Sequence, residues 1–258
     1  MDTERVVEVW VPDTQEVGSG YLLTNSLVLT AYHVVKGIRK HARIEVRPLS
    51  KGAGRPWLTA SMCWPSRFVD LDAHPEQDAA LLVISPSDRP TEPLPGTVRF
   101  GQVVGQKPIP CIGLGFPEAE ERPDNVRDTL PVRGKVDPLH GYKAKLLTVH
   151  IDEGVVPLGW SGASGEALFC GPLLVGVLAT DHRIAADNSV LLAVPVSALA
   201  SLPGFRDALT THGIELHIEP APVSKTERLL KPYFAAVSRA VREQPYPGLQ
   251  RGSRTATW

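Results

Sequence analysis

Apolar residues along the chain come in short runs rich in Val, Leu and Ile, each closed by Gly, Pro or a charged side chain. Such punctuation predicts many short strands joined by turns, and not a helical bundle. Strands are expected over 6–11, 20–23, 27–30, 44–48 and 79–84, with turns at Asn25-Ser26 and around 51–55. The pattern then breaks at Pro86, Pro90, Pro93 and Pro95, a stretch that cannot supply ladder N–H groups and reads as a linker. Beyond it, strands are expected over 110–114, 132–136, 145–151, 166–169, 173–179 and 190–194. The charged, Pro-bearing segment 116–128 between them reads as an exposed loop. Residues 197–209 have the spacing of a short helix interrupted by Pro203-Gly204, followed by a strand-like run at 214–218. The expected class is all-β, with an N-terminal β unit at 1–85, a linker at 86–97 and a second β unit at 98–219.

The tail, 220–258, behaves differently. Ser224-Lys-Thr-Glu227 matches a capping box, and Pro232, suited to a first helical turn, places the firmer helix from 232 to about 243. Phe234, Val237 and Val241 share one face of that helix and are suited to docking. The last residues, 251–258, read as unstructured.

Composition narrows the partners. The chain has 258 residues, with 27 Lys and Arg against 28 Asp and Glu, a formal charge of −1. A balance so close to neutral offers no broad basic field for nucleic acid or an anionic membrane surface, and neither partner is expected. No apolar stretch approaches the roughly 20 residues of a membrane span. Met-Asp-Thr-Glu-Arg has no basic n-region, so no secretory signal is expected. Cys63, Cys111 and Cys170 form an odd set without close pairing, which fits a reducing, cytoplasmic setting without structural disulfides. The other histidines, 41, 74, 140, 150, 182, 212 and 217, show no metal-ligand spacing, and no phosphate-binding glycine loop occurs. No metal or cofactor is expected.

Three separated segments carry the candidate chemistry. The first holds Gly18-Ser-Gly20-Tyr-Leu-Leu23 and then Val28-Leu-Thr-Ala-Tyr-His33-Val-Val. The second is Gln77-Asp78-Ala-Ala-Leu-Leu82, and the third is Gly162-Ala-Ser164-Gly165-Glu-Ala-Leu-Phe169, followed by Leu174-Val-Gly176-Val. In order and content these resemble the histidine, aspartate and serine boxes of trypsin-like peptidases, over roughly 6–200. The resemblance implies two packed six-stranded antiparallel β-barrels with an active site in the cleft between them, and His33, Asp78 and Ser164 as a catalytic triad in chymotrypsin order.

Those residue types suit the chemistry. A serine hydroxyl is a weak nucleophile at neutral pH and needs a base to take its proton as it attacks. Imidazole can accept that proton and return it to the leaving amine, while Asp78 would hold the other ring nitrogen. The backbone N–H groups of Gly162 and Ser164 would form the oxyanion hole, where losing one donor costs about 10²–10³ in rate. Ser161, in Gly159-Trp-Ser161-Gly162, is a local rival, but Ser164 places Leu168-Phe169 where the next strand should begin.

The family pattern is not followed throughout. Tyr32 stands before the histidine in place of Ala, Ala163 before the serine in place of Asp, and Glu166-Ala167 after it in place of Gly-Pro. A Glu166 carboxylate facing the cleft would repel anionic substrates or raise the histidine pKa. By the resemblance, Leu158, six residues before Ser164, lies at the base of the primary pocket, with Ala179 and Thr180 on its wall, implying an apolar preference. Ala163 cannot make the ion pair with a freed amino terminus used by secreted relatives, so order in the serine loop is expected from packing of Trp160 or from a partner on the tail helix. Gln244-Pro-Tyr-Pro-Gly-Leu249 resembles the junction joining bacterial effector domains to signalling ATPases of the STAND class. The sequence is thus read as a serine endopeptidase acting on polypeptides, the alternative being an inactive pseudo-protease of the same fold serving as a binding module.

Overall fold

The computed structural model describes residues 1–37, 43–49, 56–90, 94–120, 127–140, 145–152, 160–179 and 190–221. The expected turn at 51–55 and the tail helix from Ser224 lie outside the described residues.

Alternation of apolar and polar positions builds the first half. Strands β1 (Val6–Val11), β2 (Glu16–Thr24), β3 (Leu27–Thr30), β4 (Ile44–Pro48), β5 (Leu58–Trp64) and β6 (Ala80–Ile84) close into an antiparallel barrel in the order β1-β2-β3-β6-β5-β4. One set of side chains, including Val7, Val9, Leu22, Val28, Ile44 and Leu82, fills the barrel. The alternate set, including Tyr21, Leu23, Leu29 and Leu81, belongs to a separate apolar layer shared with the other half. A short helix, α1 (Tyr32–Val35), follows β3 directly. Glu8 on the outer face of β1 is opposite Arg47 of β4, whose Nη2 lies 2.6 Å from the Glu8 carboxylate.

The second half comprises β7 (Arg99–Val103), β8 (Ile109–Gly115), β9 (Leu130–Asp137), β10 (Leu147–Ile151), β11 (Ala167–Cys170), β12 (Leu173–Ala179) and β13 (Val190–Pro195). Strands β8-β9-β10-β13-β12-β11 form a second antiparallel barrel, closed because β11 pairs with both β12 and β8. β7 lies outside that ring, parallel to β12, and β14 (Ile218–Ala221) runs parallel to β7. Helices α2 (Val196–Leu199) and α3 (Phe205–Thr211) lie between β13 and β14. The chain therefore has the expected pair of six-stranded barrels.

The two barrels are joined by the shared apolar layer. Tyr21 of β2 meets Phe169 of β11 with ring centroids 5.2 Å apart. Trp64, at the end of β5, packs edge-on against Phe205 of α3 at 4.9 Å and donates its indole N–H to the Pro203 carbonyl at 3.0 Å. Arg5 is only 3% exposed, yet its charge is satisfied. Its guanidinium donates to the carbonyls of Leu22, Leu23, Pro95 and Gly96, tying the N-terminal segment to β2 and to the interbarrel connection.

Three details depart from the sequence reading. β5 and β7 were not expected, since exposed Ser61, Met62 and Cys63 erase the period-two signal in one and β7 is a short run alongside the barrel. Phe116 and Pro117 are buried, so the 116–128 segment is not exposed at its start. The strand placed at 214–218 begins only at Ile218. No helix among the described residues is long and apolar enough to cross a membrane.

Candidate active site

His33 sits in the first turn of α1, where backbone N–H groups have no partner within the helix. The residue ahead of the helix, Ala31, has no side-chain oxygen to cap it. Asp78 supplies the cap from 45 residues away: Oδ1 accepts the His33 backbone N–H at 2.8 Å. Its other oxygen, Oδ2, lies 2.6 Å from His33 Nδ1. One carboxylate thus fixes both the backbone and the ring of the histidine. When Asp78 is ionised its oxygen can only accept, so Nδ1 carries the ring proton and Nε2 presents its lone pair. Asp78 itself ends a 3-10 turn at Pro75–Gln77 just before β6 and is buried. Tyr32, the departure next to the histidine, is also buried, and its hydroxyl accepts the Val69 N–H at 3.3 Å. It anchors the segment that leads to Asp78.

Ser164 lies in the turn 160–166 that enters β11, and it is 4% exposed. The turn is bound to the first barrel: the Ser19 N–H donates to the Ser164 carbonyl at 2.7 Å. Gly165 packs so tightly against the Ser19 carbonyl, the Thr30 hydroxyl and the Ala31 nitrogen that a Cβ there would overlap them, and its φ of +90° is open mainly to glycine. The serine turn therefore abuts the end of β3, just ahead of His33. Ser161, the rival serine, occupies the same turn, and its carbonyl accepts the Glu118 N–H at 2.7 Å.

Hydrogen bonds to neighbouring carbonyls orient the two N–H groups named for the oxyanion. A planar trans peptide points its C=O and N–H in opposite directions. Holding the Ser161 carbonyl on Glu118 therefore aims the Gly162 N–H the other way. The Ala163 carbonyl accepts the Glu166 N–H at 3.0 Å, which does the same for the Ser164 N–H. Gly162 adopts a φ of +86°, and a Cβ there would lie 2.6 Å from the Phe116 carbonyl oxygen. Trp160 and Ala163 are both buried in the core of the second barrel, so packing does contribute to order in this turn.

Glu166 does not face the cleft. It lies wholly within the second barrel, in space left by Gly113 and Gly115 of β8, and cannot act on a bound substrate by direct charge. Neither carboxylate oxygen has a hydrogen-bond partner of ordinary geometry among the described residues. Burial pushes this carboxyl well above the usual range, opposed weakly by the Val132 backbone. Cys111 and Cys170 share the same interior, and burial pushes both thiols up to about 12.

Of the pocket residues, Ala179 is buried at the end of β12, whereas Leu158 and Thr180 lie outside the described residues. Ser19, Thr30, Phe116 and Glu118 have no counterpart among the residues expected from sequence, although Ser19 and Thr30 stand inside the histidine-box segments. Among the described residues no group of three or more His, Cys, Asp or Glu side chains is placed to hold a metal ion.

No family model matches the chain, and no curated protein sequence matches it. Solved structures do. A Glu endopeptidase aligns over 81% of this chain and 90% of its own, with 15% identity and a TM-score of 0.57. Deg5 aligns over 77% and 86%, with 18% identity and a TM-score of 0.51. A scabies mite inactivated protease paralogue, S-I1, aligns over 82% and 97%, with 16% identity and a TM-score of 0.58. The shared feature is the fold of trypsin-like serine proteases, which hosts an inactivated member as well as an endopeptidase.

Proposed function

We propose that the chain is a serine endopeptidase in which Ser164 attacks, His33 transfers the proton and Asp78 orients His33. The observation that carries this reading is the double engagement of His33 by Asp78, through ring and backbone at once. A histidine kept only for packing has no need of a buried carboxylate holding both groups. In the reaction, Ser164 Oγ bonds to the scissile carbonyl carbon as His33 Nε2 takes its proton. The carbonyl oxygen becomes an anion received by the Gly162 and Ser164 N–H groups. Collapse breaks the C–N bond, with the His33 proton passing to the amine, and water then repeats the sequence to release the acid from the acyl-enzyme. The primary pocket is apolar in this reading, because a cationic side chain held against Leu158 would lose hydration without a partner. The likeness of 244–249 to an effector junction supports a signalling ATPase as the attached partner.

The test is turnover of a peptide library by the purified chain. The expected result is cleavage after apolar residues, with kcat lowered about 10⁴-fold or more in His33→Ala. A wild-type chain without turnover would favour the inactive binding-module reading, and a profile dominated by Arg or Lys would overturn the pocket assignment.

A further inference from the structure

Ser19 belongs to β2 and points from the outer face of the first barrel toward the second. It is fully buried, and each of its polar groups is bonded. Its N–H donates to the Ser164 carbonyl at 2.7 Å, and its carbonyl accepts the Thr30 hydroxyl at 2.7 Å. The side chain spans two further partners: Oγ lies 2.8 Å from the Gly162 carbonyl and 2.8 Å from the Phe116 nitrogen. Proton positions follow without ambiguity. A backbone N–H can only donate, so Oγ accepts from Phe116 and its one proton goes to the Gly162 carbonyl.

We infer that Ser19 is a positioning residue, whose hydroxyl locks the oxyanion turn of the second barrel onto the first. The inference rests on the proposed peptidase reading and deepens it. Gly162 has no Cβ to restrict it, and its own N–H is an oxyanion donor. The Ser161 carbonyl is held from one side by Glu118, and the Gly162 carbonyl from the other by Ser19. Both peptides that flank Gly162 are then held, the second also through the Ala163 N–H on the Trp160 carbonyl at 3.0 Å, which fixes φ and ψ at Gly162 and with them the setting of its N–H. Phe116 ties the arrangement together, since it donates to Ser19 and belongs to the segment that reaches Glu118. Removing the hydroxyl leaves the Gly162 carbonyl and the Phe116 N–H unpaired in a buried site. The peptide after Gly162 then loses one of its two anchors, φ and ψ at Gly162 are less tightly set, and the Gly162 N–H is held at the oxyanion position by the Glu118 contact alone. The loss falls on the transition state and leaves ground-state substrate contacts in place.

The experiment compares Ser19→Ala and Ser19→Cys with the wild-type chain. Ser19→Cys keeps the side-chain shape with a weaker donor and serves where the alanine variant is poorly folded. In Ser19→Ala, kcat is expected to fall about 10- to 100-fold with KM within about twofold, a part of the loss for a missing oxyanion donor. Affinity for a peptide aldehyde, whose adduct places an oxyanion in the same hole, should fall in proportion. Amide hydrogen exchange at Phe116 and across 160–166 should quicken in the same variant. Wild-type kcat and aldehyde affinity in both folded variants would overturn the inference. Should the wild-type chain show no turnover, the peptidase reading fails, and exchange decides the positioning role by itself: unchanged protection at Phe116 and 160–166 would overturn it.

Discussion

Glu166 follows the serine turn into the second barrel and places a carboxyl where two glycines of β8 leave room for it. Its environment holds the proton on. An unfolded glutamate releases its proton near pH 4.3, whereas this one keeps it to much higher pH. Above about pH 4.3 folding therefore takes up a proton, and this group's contribution to stability falls as pH rises, by at most about 1.4 kcal/mol per pH unit, until the folded pKa is reached. Glu166→Gln, which cannot ionise, should be more stable than the wild-type chain at pH 8, and the difference should shrink toward pH 5. Thermal unfolding at the two pH values checks this; a difference that does not vary with pH would contradict it. The residue type was visible in the sequence as a departure from the serine box. Its direction was not, because nothing local says which face of β11 continues into the turn.

Elements divide into those with a strong local signal and those created by neighbours. β3, β4 and β12 fall at the bounds expected from their apolar runs, because each is buried along most of its length. β5 offers no such run. Its central residues are exposed, and it is recognisable as a strand only through its pairing with β4 and β6. The break at Pro203-Gly204 was legible: α2 ends at Leu199, Pro203 lies in the connection that follows, and Gly204, with φ of +75°, stands just ahead of α3. What α3 does was not legible. Its Phe205 is fully buried, edge-on to Trp64 of β5, and so fastens α3 to the first barrel. Phe205→Ala should cost about 3–5 kcal/mol in chemical denaturation. Phe68→Ala, at a side chain 81% exposed, should cost almost nothing by the same measurement, and equal costs would contradict the packing described.

Across the whole molecule, the architecture separates stability from chemistry. Each barrel has its own apolar interior, and a third apolar layer holds the two together, so the turn between them can be given over to polar contacts. His33 and Asp78 come from the first barrel and the serine turn from the second, and their order along the chain is what marks them in the sequence as a candidate site. The bracing was not legible, because Ser19 meets Phe116 and Gly162 across separations of 97 and 143 residues. Such pairings carry no period or motif. In the proposed reading Ser164, and not its neighbour Ser161 in the same turn, is the nucleophile. The most direct measurement is mass spectrometric mapping of the chain after treatment with a fluorophosphonate, which bonds to an activated serine oxygen. A single adduct on Ser164 is expected, lost in Ser164→Ala and retained in Ser161→Ala; an adduct on Ser161, or a Ser164 left unmodified, would contradict the assignment.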